Sequence, residues 1–472
     1  MKKFWIILVA AVLLTAFSVP AAFAVGGADV KISGHLLING YLIDNPSLKK
    51  NDGSSAGVVD QRFRMGMEFK IAEGLKLVTR FDALEKTWGD RNWGGAEPQY
   101  FDSTNRLSNG NSGSYLQENI EWDQAYVDFT TGIGRFMVGY QLFTAWGTPI
   151  ADGVTSKPGV KYLMQTGPWT LLAAWERNTE GQKSTAAGLT PQTKTTLTGI
   201  DVDSDAYDLG AIYKFKGGEF GVLYQFVMKN NTRAAGASTT LHVIDPYVKF
   251  TAGPVYFEGE AVYLTGKAAK YETPVVGVAD VDADEKGIYL HAKVDLKPAY
   301  VGGMFLWVQG DDYGSSTKQN GGWIRQLAAG VTFEPCLLFG SAWYTHAGFT
   351  EAGYAGVANQ YTYYFDNIWF AQGYAGFQPT PKWDVSASYS WMKADQKPRT
   401  TKGAPISVGN PEFVSDALGT EVDLKVKYKI FDNLTYMIGG AYFFTGDYFK
   451  GTSNANQIKD NYLIMHNLTL VF

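Results

Sequence analysis

The sequence predicts an all-β protein, a single transmembrane antiparallel up-and-down β-barrel of about 18–20 strands with short periplasmic turns and long extracellular loops. Three observations predict it. Segments along the chain alternate apolar and ionic side chains. Short turns and long polar loops take turns between those segments. The final segment is apolar on one face and ends on a phenyl ring.

The alternation is plainest in 420–430, where Val422, Leu424, Val426, Tyr428 and Ile430 oppose Glu421, Asp423, Lys425, Lys427 and Lys429. In 60–71, Phe63, Met65, Met67, Phe69 and Ile71 oppose Asp60, Arg62, Arg64, Glu68 and Lys70. In 383–391, Trp383, Val385, Ala387, Tyr389 and Trp391 oppose aspartate and serine. In 288–296, Ile288, Leu290, Ala292, Val294 and Leu296 oppose Tyr289, His291, Lys293 and Asp295. Successive side chains of a strand point to opposite faces, whereas a helical period would mix the two sets on each side. A face charged at almost every position meets water. The apolar face then meets hydrocarbon, so the ionic face is the inner one. A barrel of this size is wide enough to hold water inside.

The turns come next. Short ones are expected near 72–74, 131–134, 166–168, 216–218, 252–254, 297–298, 334–335, 379–381 and 431–433, each built from Gly, Pro, Asn or Asp. Nine such turns between ten outer hairpins give 20 strands by direct count. Eighteen follows if the weak hairpin around 143–170 lies inside a loop. A soluble all-β domain has no reason to collect its short turns at one end, and a barrel crossing the outer membrane does.

The ends of the chain agree. Met1-Lys2-Lys3, the uncharged run Phe4–Val19 and the small residues Ala22-Phe23-Ala24 read as a secretory signal peptide over 1–24, leaving Val25 at the mature start and 25–472 as the barrel. At the other end Tyr462, Ile464, Leu468, Leu470 and Phe472 fall on alternate positions and form the expected signal for the barrel-assembly machinery, with His466 as the departure from the pattern.

Composition fits and excludes. Aromatic residues make up 15% of the chain and there are 53 glycines, as aromatic girdles and tight turns require. No apolar run after residue 24 reaches the roughly 20 residues of a membrane helix, and strands that alternate faces have unremarkable average hydropathy. The single cysteine, Cys336, allows no internal disulfide. A formal net charge of −5 suggests no nucleic-acid partner. No phosphate-binding or dinucleotide fingerprint is present. No cofactor, metal or catalytic residue is expected. Asp201–Asp205 and Asp280–Glu285 are acidic, but both lack the glycine and glutamate of a calcium loop.

The chain resembles Gram-negative outer-membrane porins. The segment Gly419–Phe449 is similar to the corresponding region of alginate-export-type barrels, and Gly134–Gln141 resembles the Gly-Arg-Gln strand of such porins with Tyr140 in place of the arginine. The resemblance implies a monomeric or trimeric channel in the outer membrane, in contact with lipid and lipopolysaccharide. In the alginate-export type it also implies an arginine-rich lumen for an anionic polysaccharide, a lining only partly present here.

The candidate functional residues therefore line a pore. Arg62, Arg64, Glu68, Lys70, Lys76, Arg80 and Asp82 fall on the second and third strands, and Glu421, Asp423, Lys425, Lys427 and Lys429 on the third from the end. Closure of the barrel would bring the two groups within a few strands of each other. Glu258, Glu260, His291 and Lys293 fall on the opposite half of the wall. Rings of Lys and Arg favour anions, and opposed rows of both signs make a transverse field. For the loop that narrows the pore, 86–118 is the longest candidate, with Trp88, Arg91, Trp93 and Arg106 as constriction residues; 143–157, around Trp146, is second. A loop of that length serves equally to cover the outer mouth.

The expected function is passive diffusion of small hydrophilic solutes and ions through a charged, water-filled lumen. The alternative is an export conduit or sheath for an anionic polysaccharide or a partner protein. A barrel enzyme is not expected, because such barrels are narrower and no catalytic arrangement is evident.

Overall fold

The computed structural model describes residues 29–51, 55–88, 120–143, 145–150, 155–181, 202–231, 233, 236–271, 278–324, 333–341 and 365–472. The strands are β1 (Asp29–Asp44), β2 (Ala56–Ala72), β3 (Leu75–Thr87), β4 (Glu121–Thr131), β5 (Gly134–Leu142), β6 (Ser156–Thr166) and β7 (Trp169–Thr179). They continue with β8 (Ser204–Phe215), β9 (Gly218–Lys229), β10 (Ala237–Ala252), β11 (Val255–Tyr271), β12 (Val281–Leu296) and β13 (Ala299–Val308). The two-residue β14 (Lys318–Gln319) precedes β15 (Ile368–Phe377), β16 (Trp383–Ala394), β17 (Ala417–Phe431), β18 (Leu434–Thr445) and β19 (Asn461–Val471).

Eighteen of these form one closed antiparallel wall. Each pairs with the next, β13 pairs with β15, and β19 returns to β1 in the register Ile38↔Leu468, Asn39↔Asn467. β14 stands outside the count, as a stub parallel to the start of β12. Eight tight turns connect β2–β3, β4–β5, β6–β7, β8–β9, β10–β11, β12–β13, β15–β16 and β17–β18. All lie at the end where Phe472 and Gly34 exchange backbone hydrogen bonds of 2.9 and 3.0 Å. No helix among the described residues is long and apolar enough to cross a membrane. The protein is an outer-membrane, multi-pass β-barrel, its outer surface an apolar band carrying Leu209, Leu424 and Ile464, each more than half exposed.

One expected turn is absent. Glu334-Pro335 is not a connection between wall strands; it lies in the single connection from β13 to β15. The hairpin around 143–170, whose loss was the condition for eighteen strands, is present and supplies the wall strand β6 and the turn to β7. The strand count is therefore eighteen. The described neighbours of Pro335, Cys336, Leu337, Leu338 and Phe339, are buried against the wall.

This burial corrects a second expectation, that the inner face meets water throughout. Leu241 and Val243 of β10, Val262 and Leu264 of β11, Leu306 and Val308 of β13, Ile368 and Phe370 of β15, and Leu463 and Met465 of β19 are all buried. Along the same strands they alternate with the exposed Ile244, Tyr263, Trp369 and Ile464, so they face inward. They join one apolar cluster with Leu48, Ile150, Trp323, Ile324, Phe365, Phe413, Tyr448 and Phe449 from the long connections. Part of the bore is thus packed with hydrocarbon, because connections fold inward and dry the wall they cover. Each fully buried Leu or Phe in such a cluster contributes about 1.5–3 kcal/mol.

Close strand packing also needs glycine. Gly266 of β11 has φ +146°, and a Cβ there would meet the Thr240 carbonyl oxygen at 2.1 Å. Gly266→Ala is expected to lower barrel stability by about 1–3 kcal/mol, the range for such backbone strain, read as a lower urea midpoint of unfolding in lipid vesicles.

Candidate functional site: the barrel interior

The inner wall is built by register. His35, Leu37 and Asn39 of β1 stand opposite Arg64, Arg62 and Asp60 of β2, and Arg64 stands opposite Asp82 of β3. Arg62, Arg64, Glu68, Lys70, Lys76, Arg80 and Asp82 therefore share the face opposite the apolar band. They do not form a bare basic wall. Arg64 grips Asp82 through two bonds, Nε–Oδ1 at 2.6 Å and Nη2–Oδ2 at 2.5 Å. Arg80 donates to Asp123 of β4 at 2.6 Å, and the same carboxylate lies 3.9 Å from Arg64. Lys76 bridges Glu68 at 2.8 Å and Asp128 at 3.6 Å, and Asp128 in turn holds Arg135. Arg62 lies 3.7 Å from Glu85, and Lys70 pairs with Glu73 at 2.8 Å. Two-pronged arginine–carboxylate pairs are rigid as well as strong, so this part of the wall presents fixed dipoles of both signs.

From β6 to β10 the wall opens into a chamber of about 340 Å³. Lys157, Lys161 and Lys229 enter it beside Glu176, Asp208 and Asp245, and Leu172, Leu223, Val227 and Val243 supply apolar surface. Lys157 pairs with Glu176 at 3.0 Å, and Gln225 donates to Asp208 at 2.8 Å. Lys161 donates to the Leu142 carbonyl and lies 4.8 Å from the Phe143 ring centre. Trp146 closes one side. Its Nε1 donates to the Asp245 carbonyl at 3.0 Å, and its ring meets Tyr247 edge-on at 5.4 Å. Thr148 N donates to the Glu260 carboxylate. Trp146 to Ile150 thus fold inward.

On the far wall Glu258 accepts from Tyr256 at 2.7 Å, Tyr289 at 3.0 Å and His291 Nδ1 at 3.1 Å, while His291 Nε2 meets Tyr374 at 2.7 Å. His291 is therefore part of a hydrogen-bonded cluster and not a solvated side chain. Lys293 pairs with Asp295 at 3.0 Å and lies 4.6 Å from the Tyr300 ring centre. On β17, Glu421 and Asp423 are buried, with Asp423 accepting from Ser388 at 3.0 Å. Lys425, Lys427 and Lys429 follow on the same face, toward the tight-turn end.

Of the constriction candidates, Arg91, Trp93 and Arg106 lie outside the described residues, with most of 86–118. Trp88 is described and does not narrow the bore. Its Nε1 donates to Gln61, which alternates with the inward Asp60 and Arg62, and the indole is 56% exposed on the outer face. Tyr462, Ile464, Leu468, Leu470 and Phe472 lie on the outer face of β19, with Phe472 stacked on Phe63 at 6.3 Å. His466 shares that face and fits over Gly40, where no side chain intervenes.

The described residues unite an eighteen-stranded closed wall, loops turned inward and an ionic inner face. The chain has the fold of an outer-membrane porin. It is similar over 96% of its length to 99% of OccAB1 of Acinetobacter baumannii, at 12% identity and a TM-score of 0.53. It is similar over 94% of its length to 98% of OccAB2 of the same organism, at 11% identity and a TM-score of 0.51. No protein-family model matches the sequence, and no curated protein does. The porin fold matched is therefore of the Occ type and not specifically that of alginate-export barrels.

Sequence reasoning passed over Asp123, Asp128, Lys157, Lys161, Glu176 and Asp208, and met Arg135 only within the porin-like strand Gly134–Gln141 and Glu285 only at the end of the acidic run Asp280–Glu285. Most sit in strands where the alternation is broken by aromatic or small inward residues, such as Tyr126, Gly139 and Ala174. Removing the acceptor of the far-wall cluster tests its weight. Glu258→Ala leaves the buried Tyr289 hydroxyl without its partner, and a loss of about 1–3 kcal/mol is expected, measured as the urea midpoint beside wild type.

Proposed function

We propose that the chain is an outer-membrane channel for passive diffusion of small hydrophilic solutes and ions, with a preference for anions. The observation that carries the anion preference is the row Lys425, Lys427 and Lys429. These lysines occupy successive inward positions of β17 and have no ion pair among the described residues. The arginines of β2 to β5 are each committed to a carboxylate. Committed pairs contribute dipoles, whereas uncommitted ammonium groups contribute net positive potential along the solute's route. Such rows favour anions and phosphate groups in pores. The mixed pairs on β2 to β5 and the chamber beside Trp146 continue the polar route along the wall, the chamber bordering the apolar cluster at Val227, Leu241, Val243 and Trp323.

The alternative of a conduit or sheath for an anionic polysaccharide or a partner protein is less well supported. The inward segments and their apolar cluster take up room that a polymer or an inserted protein would need.

Planar-bilayer recording across a salt gradient tests the proposal. Wild-type protein is expected to give stepwise conductance with a reversal potential on the anion side. The triple variant Lys425→Gln, Lys427→Gln, Lys429→Gln is expected to shift that potential toward cations at nearly unchanged step size. Folded protein that produces no steps would refute the channel. An unmoved reversal potential in the triple variant would remove these lysines from selectivity.

A further inference from the structure

We propose that Glu421 is a positioning residue for permeation: its carboxylate holds the inward segment 333–341 against the wall and so sets the cross-section of the passage. The proposal rests on the channel reading above and deepens it. Glu421 is fully buried on β17. It accepts three consecutive backbone N–H groups, from Leu337 at 3.1 Å, Leu338 at 2.8 Å and Phe339 at 2.8 Å. Consecutive N–H groups converging on one anion form a backbone nest. No cation pairs with Glu421 among the described residues, and its two oxygens take their hydrogen bonds from these backbone N–H groups.

The surroundings finish the grip. Gln372 of β15 donates to the Pro335 carbonyl and to Ser390 Oγ, both at 2.9 Å, and Cys336 Sγ donates to Ser390 Oγ at 3.3 Å. Leu338 and Phe339 enter the apolar cluster beside Phe365 and Phe443. Cys336 Sγ, Glu421 and Asp423 also bring three potential metal-ligand atoms within 4.8 Å of one another. Both Glu421 oxygens already receive N–H groups, which assigns the carboxylate to holding the segment. The arrangement recurs. Glu285 of β12 accepts from Trp323 N at 2.6 Å and Ile324 N at 3.0 Å, and Glu260 of β11 accepts from Thr148 N. Three of the inward segments, around Thr148, Trp323 and Leu338, are thus met by a wall glutamate.

The chain's only cysteine reports on this contact, because Cys336 lies within the held segment and is 2% exposed. Glu421→Gln keeps the size of the side chain but turns an amide N–H toward a backbone N–H. Maleimide labelling of the folded protein is expected to be at least tenfold faster in this variant than in wild type, and the open-channel conductance larger and noisier. Glu421→Asp keeps the carboxyl group and withdraws it by one methylene; it is expected to move both readouts in the same direction by less. It serves as the probe if the glutamine variant does not fold, with heat-modifiable gel migration reporting folding. Adding Ser390→Cys to Glu421→Gln allows a bridge to Cys336, and oxidation is expected to restore wild-type conductance until reductant is added. Labelling as slow as wild type in a folded variant overturns the latch. High conductance that persists in the bridged protein overturns the control of cross-section. Labelling needs no ion flow, so it stands apart from any failure of the channel reading.

Discussion

The constraint on which the structure depends is that hydrocarbon offers no partner to a backbone N–H or C=O, so every strand crossing it must be paired on both edges. The chain meets this by joining its first strand to its last. Residues His35 to Asp44 pair in unbroken register with Val471 to Tyr462. The inner side of the seam is laced as well, since Asn467 donates to Asn39 at 2.5 Å and Asn39 to Asp60 at 2.8 Å. With both ends of the wall at the tight-turn rim the number of strands must be even. Losing the expected turn at 334–335 therefore removes two strands together.

Closure fixes the outer face of every strand but leaves the inner face a choice between water and folded loop. β10 shows both along one strand. Lys249 is half-buried and suits a wet wall, while Val243 and Leu241 are buried and suit a dry one. The boundary follows the loops. Ordering a loop residue costs about 1–2 kcal/mol of backbone entropy, which polar loops of Ser, Asn and Gly cannot recover. The segments that do turn inward carry Ile150, Trp323, Ile324, Leu337, Leu338 and Phe339, whose burial offsets that cost. The same physics that packs a soluble core operates here inside a membrane barrel.

This explains which parts were legible in the sequence. Class, closure and facing were legible wherever the inner side meets water, because charge at every second residue has no other cause. Both strands β2 and β17 show it. The inward segments were hidden because their walls lose the alternation. Met304–Val308 and Ile368–Ala371 are apolar on both faces, and the run around Glu334-Pro335 copies the pattern of two strands with a turn. The missing signal was available in that form: a wall strand apolar on both sides implies something apolar inside the barrel. Pairing partners such as Arg80 with Asp123 were out of reach, since they depend on a bulge that shifts β4 by one residue against β3.

The inward segments also settle where the acidic residues go. Wall N–H and C=O groups are consumed by the ladder, so the N–H groups of a loop pressed against the wall have only side-chain acceptors. A carboxylate can accept several at once, and Glu260, Glu285 and Glu421 each stand where one is needed. Others are consumed by arginine. On the channel reading proposed above, the chain's formal charge of −5 does not give the sign that a solute meets. Carboxylates spent on backbone and guanidinium groups contribute little field at the wet surface, and the lysines of β17 remain. The polarity of the passage follows from which charges the fold has left uncommitted, and their sum over the chain does not determine it.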